Sequence, residues 1–76
     1  MLSLLAILIN DLIDRAKYLY HEQKFQESLL IYKELLKKSP HCAELQNNAG
    51  IVYSTTGQSD IACLYFLKAL DIDPSF

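Results

Sequence analysis

Apolar residues recur every three or four positions through most of the chain, and this spacing predicts α-helices. Pro40 and Pro74 interrupt the pattern because proline cannot continue a helix and restricts the residue before it. Gly57 follows a helical segment and is typical of a left-handed helix cap. The four predicted helices cover about residues 3–22, 25–38, 41–56 and 59–72.

Strands are not predicted anywhere in the chain. The β-branched residues of segment 51–56 lie inside a helical pattern and do not alternate with polar ones. Connections of about three residues force adjacent helices to run antiparallel. The sequence therefore predicts an all-α fold made of helical hairpins.

A repeat becomes visible when the chain is shifted against itself. Pro40 and Pro74 stand 34 residues apart. At this shift, small residues align with small ones and large apolar residues with large ones, with one looser pair at the end. The aligned pairs are Ala16 with Gly50, Leu19 with Tyr53, Ser28 with Ala62, Tyr32 with Phe66, and Leu35 with Ala69.

The second copy of this repeat, residues 43–76, resembles a tetratricopeptide repeat (TPR), a helix–turn–helix unit of 34 residues. Gln46 departs from the pattern because it stands where the family usually has Trp, and we expect weaker packing there. The first copy, residues 9–42, matches at fewer positions. The residues that carry the resemblance in the second copy are Gly50, Tyr53, Gly57, Ala62, Phe66, Ala69 and Pro74.

The resemblance implies two stacked TPR hairpins, residues 9–42 and 43–76, with residues 1–8 as an apolar N-terminal extension of the first helix. It also implies a concave groove lined by the first helix of each repeat, in which a peptide or helix of a partner protein lies. By register, the groove residues are Asp14, Lys17, Tyr20, His21, Asn47, Asn48 and Ile51.

The charge of the chain limits the classes of partner that it is expected to bind. The formal net charge is −2, which gives no basis for nucleic-acid binding. Residues 1–42 carry six basic and five acidic side chains, and residues 43–76 carry one and four. This polarity favours either weak head-to-tail association or simply two solvated surfaces of different sign.

Candidate chemistry is sparse. The two histidines and two cysteines show no spacing typical of a metal site, so we expect neither metal nor cofactor. No nucleophile with a base beside it and no glycine-rich phosphate loop is evident, and enzyme activity is not expected. Cys42 and Cys63 are predicted to be small buried residues in a protein of the reducing cytoplasm.

The ends of the chain are unusually apolar. Segment 1–9 is too short for a membrane span and lacks the flanks of a secretory signal. It is interpreted as an extension of the first helix, a contact with a partner or a second copy, or a membrane-surface anchor. The predicted assembly surface consists of Leu2, Leu5, Ile9, Leu64 and Leu67.

These features predict a protein–protein interaction module that binds a partner peptide or helix in the groove and uses its apolar ends for assembly. The alternative is a purely structural, self-associating subunit, or a fragment of a longer TPR array, with no ligand in the groove. A third interpretation is a peripheral membrane adaptor anchored by residues 1–9, although membrane association is not favoured.

Overall fold

Four α-helices and three short turns make up the computed structural model, which describes residues 4–75. No strand occurs in these residues, so the predicted all-α fold is confirmed. The third helix begins two residues later than predicted, because His41 and Cys42 belong to the turn that follows Pro40. The helices are α1 (Leu4–His21), α2 (Phe25–Lys38), α3 (Ala43–Thr55) and α4 (Ser59–Ile72).

The helices pack in chain order. Helix α1 packs against α2, α2 against α3, and α3 against α4. Turns of three or four residues bring each helix back along its predecessor. The result is two helical hairpins, α1–α2 and α3–α4, joined through the packing of α2 on α3.

The turns inside the two hairpins have the same backbone geometry. Gln23 has a φ of 63° and Gly57 a φ of 82°, and these positions are 34 residues apart. Equivalent backbone hydrogen bonds close both turns: Lys24 N donates to Leu19 O at 2.8 Å, and Gln58 N donates to Tyr53 O at 2.9 Å. The 34-residue spacing therefore holds in the backbone as well as in the sequence.

Small residues allow the helices of each hairpin to approach closely. In the first hairpin Ala16 is fully buried, and the Ser28 hydroxyl donates to the Ala16 carbonyl oxygen at 2.7 Å. In the second hairpin a Cβ atom on Gly50 would lie 2.7 Å from Cε1 of Phe66. The core between the helices includes Ile13, Leu29, Tyr32, Leu35, Leu45, Ala49, Val52, Tyr53 and Ala62.

Gln46 is one of two buried polar residues within residues 4–75. Its side-chain amide donates from Nε2 to the Pro40 carbonyl oxygen at 2.9 Å. The polar residue at this position thus ties the start of α3 to the turn between the hairpins. Its other amide atom, Oε1, is buried without a hydrogen-bond partner in the described residues.

The surface differs from the prediction at one cysteine. Cys42 is half-buried and packs against the core, but Cys63 is exposed, so its predicted burial is wrong. Cys63 follows the buried Ala62 by one position, and a helix turns adjacent residues about 100° apart. Within residues 4–75, no helix is both long and apolar enough to cross a bilayer.

Candidate binding clefts

The α1–α3 cleft is a depression of about 130 Å³ between the first helices of the two hairpins. Five of the seven predicted groove residues line it. Asp14 and Asn47 do not, although both lie on these helices, Asp14 exposed and Asn47 half-buried. The lining residues are Lys17, Tyr20, His21, Tyr32, Asn48, Ile51 and Val52.

Two side-chain interactions join the helices on either side of this cleft. The hydroxyl groups of Tyr20 and Thr55 are hydrogen-bonded at 2.8 Å. Lys17 Nζ lies 3.6 Å from Glu44 Oε1, and both side chains remain half exposed to solvent. Exposed interactions of this kind contribute little to stability. Both contacts bridge α1 and α3 at the edge of the cleft.

Asn48 supplies the unusual polar group of the α1–α3 cleft. Its Nδ2 atom is buried and makes no hydrogen bond of good geometry within residues 4–75. Burial, followed by the Glu44 carboxylate, raises the pKa of Tyr32, and a side-chain hydrogen bond with Asn48 lowers it. Its contact with Tyr32 falls short of good hydrogen-bond geometry, so a ligand acceptor here would give Asn48 a better partner.

The size and donors of the α1–α3 cleft limit what it can hold. A volume of about 130 Å³ accommodates one side chain and not a whole peptide. Lys17 and Asn48 present N–H donors, whereas Ile51 and Val52 present apolar surface. The cleft therefore suits a short group that carries a carbonyl or carboxylate oxygen on an apolar stem.

The α2–α4 cleft lies between the second helices of the hairpins and has a volume of about 440 Å³. The sequence pattern did not predict this cleft, and of its lining only Leu64 was predicted to lie on an assembly surface. The available signal was the pairing of residues four apart, which share one face of a helix: Lys33 with Lys37, and Leu64 with Lys68. The lining residues are Lys33, Leu36, Lys37, Pro40, Gln46, Leu64, Tyr65 and Lys68.

Positive charge dominates the α2–α4 cleft, because three of its lining residues are lysines and none is acidic. Glu34, outside the lining, accepts a hydrogen bond from Lys37 at 3.0 Å. Lys33 Nζ lies 5.9 Å from the centre of the Tyr53 ring, and hydrogen bonding to the Tyr53 hydroxyl raises the pKa of Lys33. Lys68 makes no ion pair within residues 4–75.

Aromatic rings form one wall of the α2–α4 cleft. The rings of Tyr53 and Tyr65 are stacked, with their centres 5.2 Å apart. Burial, followed by the proximity of Tyr53, raises the pKa of Tyr65. The neutral Tyr65 hydroxyl hydrogen-bonds with Tyr53, which also raises the pKa of Tyr65. A tyrosine hydroxyl can both donate and accept hydrogen bonds.

The predicted assembly surface is divided between the two ends of the molecule. Leu5 is 63% exposed on α1, and Leu64 and Leu67 are 67% and 57% exposed on α4. Ile9 is half-buried and packs against the core of its own chain. Leu2 lies outside the described residues.

Neither the metal-binding side chains nor the comparisons with known proteins indicate what these clefts bind. Among residues 4–75, no group of three or more His, Cys, Asp or Glu side chains is placed to hold a metal ion. No protein-family model matches the chain, and no curated protein matches it either.

Proposed function

We propose that this chain is a TPR-like protein–protein interaction module whose α1–α3 cleft binds one side chain of a partner peptide or helix. The observation that carries the proposal is the buried Nδ2 atom of Asn48, which lies beside Lys17 and makes no hydrogen bond of good geometry within residues 4–75. Folded proteins rarely leave such a donor without a partner, because the cost is not recovered elsewhere. A carboxylate or carbonyl oxygen from the partner supplies the missing acceptor.

The family assignment within this proposal is supported by the 34-residue repeat of the turns and helix crossings. It places the partner on the surface formed by the first helices of successive hairpins. In this proposal the protein acts by binding and not by catalysis, in the reducing cytoplasm that its unpaired cysteines suit.

The proposal is tested with a displayed library of random peptides selected against the wild-type chain. Selected peptides are then measured against Lys17→Glu/Asn48→Ala, which removes the Lys17 ammonium and the Asn48 amide from the cleft. Lys38→Glu, an exposed change outside both clefts, matches the change in charge. We expect an affinity loss of at least about tenfold for the double variant, and little change for the control. Peptides that bind the double variant as tightly as wild type would contradict the proposal.

A second candidate function, self-association, is favoured by the exposed leucines at both ends of the molecule. Contiguous exposed apolar surface often marks an interface. In this case light scattering should give a mass above the 8.7 kDa of one chain. Replacing Leu64 and Leu67 with Asn should reduce it to the monomer mass. A wild-type monomer at all concentrations would exclude self-association as the main role.

A further inference from the structure

We infer that the α2–α4 cleft is a second binding site, for an acidic segment of a partner protein in which carboxylates alternate with apolar side chains. This site goes beyond the proposed function, because the second helices of the hairpins form it and the α1–α3 cleft shares none of its residues. Three independent features of the cleft point to this ligand: its charge, its apolar floor and its unpaired buried oxygen.

Charge complementarity is the first feature. Lys33, Lys37 and Lys68 surround the cleft, and Glu34 neutralises one of them. Lys33 and Lys68 have no carboxylate partner within residues 4–75, which leaves about two positive charges uncompensated in a protein whose net charge is −2. A solvated cation on a helix is ordinary, but three that converge on one depression create a field that selects anions. Two carboxylates on the partner match the uncompensated charge.

The apolar floor is the second feature. Leu64 is 67% exposed at the cleft, and Leu36 and Pro40 extend the apolar surface toward the turn between the hairpins. A free phosphate or another small inorganic anion would leave this apolar surface exposed to water. The volume of about 440 Å³ falls within the range of about 300–1,000 Å³ typical of ligand sites. Apolar side chains that alternate with the carboxylates cover this apolar surface.

The third feature is the Oε1 atom of Gln46. Gln46 is 97% buried, since only 3% of its surface is accessible, and it lines the cleft. Its Nε2 atom donates to the Pro40 carbonyl oxygen, which fixes the amide orientation, and Oε1 has no donor among residues 4–75. A peptide supplies such a donor from its backbone N–H, whereas a carboxylate alone cannot. This favours a peptide over a simple anion.

The test uses a fluorescein-labelled peptide of alternating aspartate and leucine residues, titrated against the full chain by fluorescence anisotropy. The matched probe replaces every aspartate with asparagine. We expect the acidic peptide to bind and the asparagine peptide to bind at least about tenfold more weakly. Affinity should fall between about 0.01 and 0.15 M salt, since the screening length drops from ~30 Å to ~8 Å.

Variants locate the bound peptide. Lys37→Glu/Lys68→Glu reverses two charges of the cleft and should weaken binding at least about tenfold. Lys24→Glu/Lys38→Glu makes the same change in net charge outside the cleft and should bind like wild type. Circular dichroism establishes that both variants retain their helices. If Lys37→Glu/Lys68→Glu changes the helix signal, the milder pair Lys37→Gln/Lys68→Gln replaces it. We then expect a smaller loss of peptide affinity than for the glutamate pair.

Several results would overturn the inference. They are failure of the acidic peptide to bind, equal binding of the asparagine peptide, and equal weakening by the two lysine pairs. A loss caused by Lys17→Glu/Asn48→Ala instead would place the peptide in the α1–α3 cleft and would also overturn it. Because each cleft has its own variants, failure at one leaves the test of the other intact.

Discussion

The two hairpins close the same helix crossing with different chemistry. In the first, the hydroxyl of Ser28 donates to the backbone of Ala16 across the crossing. In the second, Ala62 has no hydroxyl, and the ring of Phe66 occupies the space over Gly50 instead. The shared requirement is therefore a small residue on the first helix. The second helix can complete the packing at the crossing with either a hydrogen bond or an aromatic ring.

A similar contrast exists between the turns. Gly57 adopts a positive φ without steric cost, and nothing lies within 4 Å of the place a Cβ would take. Gln23 adopts nearly the same conformation with a Cβ, which costs about 1–2 kcal/mol. The first hairpin therefore carries strain that the second avoids. The repeat geometry, and not the local residue, sets the turn.

The crossing of the second hairpin should be the easiest to break. Gly50→Val brings branched carbon atoms against Phe66, and we expect a loss of about 3 kcal/mol in the free energy of unfolding. Urea denaturation measures this loss. Phe66→Ala removes the obstructing ring, so the double variant should be more stable than the sum of the two single losses predicts. Simple additivity would show that the ring does not set the size limit.

Exchanging the turn residues should move the stability of the hairpins in opposite directions. Gly57→Gln introduces left-handed strain and should cost about 1–2 kcal/mol. Gln23→Gly relieves it and should gain about 0.5 kcal/mol, because the glycine also gives the unfolded chain more freedom. Thermal unfolding of both variants compares them directly. A loss of stability in Gln23→Gly would show that the glutamine side chain contributes more than its backbone costs.

The hydrogen bond of the first crossing should have an intermediate effect. Ser28→Ala removes a buried hydroxyl and its 2.7 Å bond to Ala16, which should cost about 1 kcal/mol. Ser54→Ala, on the exposed side of α3, serves as the control and should change the unfolding free energy by less than about 0.5 kcal/mol. Equal effects of the two substitutions would mean that the first crossing depends on packing alone.

The sequence alone was sufficient to predict the helices and the small residues at the crossings. Local signals determine these features: apolar residues recur with helical spacing, Pro40 ends the first hairpin, and Gly57 forms the turn inside the second. The start of α3 was placed too early because residues 41 and 42 are compatible with helix but belong to a turn stabilised by Gln46. That contact joins residues six apart and leaves no periodic signal.

The candidate sites were less accessible to sequence reasoning. Lys17 and Asn48, which the register of the repeat assigns to one groove, line the same cleft in the structure. The α2–α4 cleft was not predicted because the spacing of residues along one helix does not indicate which residues of another helix lie beside them. Lys37 and Lys68 lie 31 positions apart, and only the packing of the hairpins shows that they share a depression.

The smallest effects are expected at the residues that join α1 to α3. Lys17→Ala removes a half-exposed ion pair and Tyr20→Phe an exposed hydrogen bond, so each should change the unfolding free energy by less than about 1 kcal/mol. Urea denaturation of both variants checks this. A small change in the unfolding free energy would separate binding from folding. A substitution at such a side chain can remove a contact without unfolding the chain. A loss as large as that of Gly50→Val would instead assign these residues to the fold.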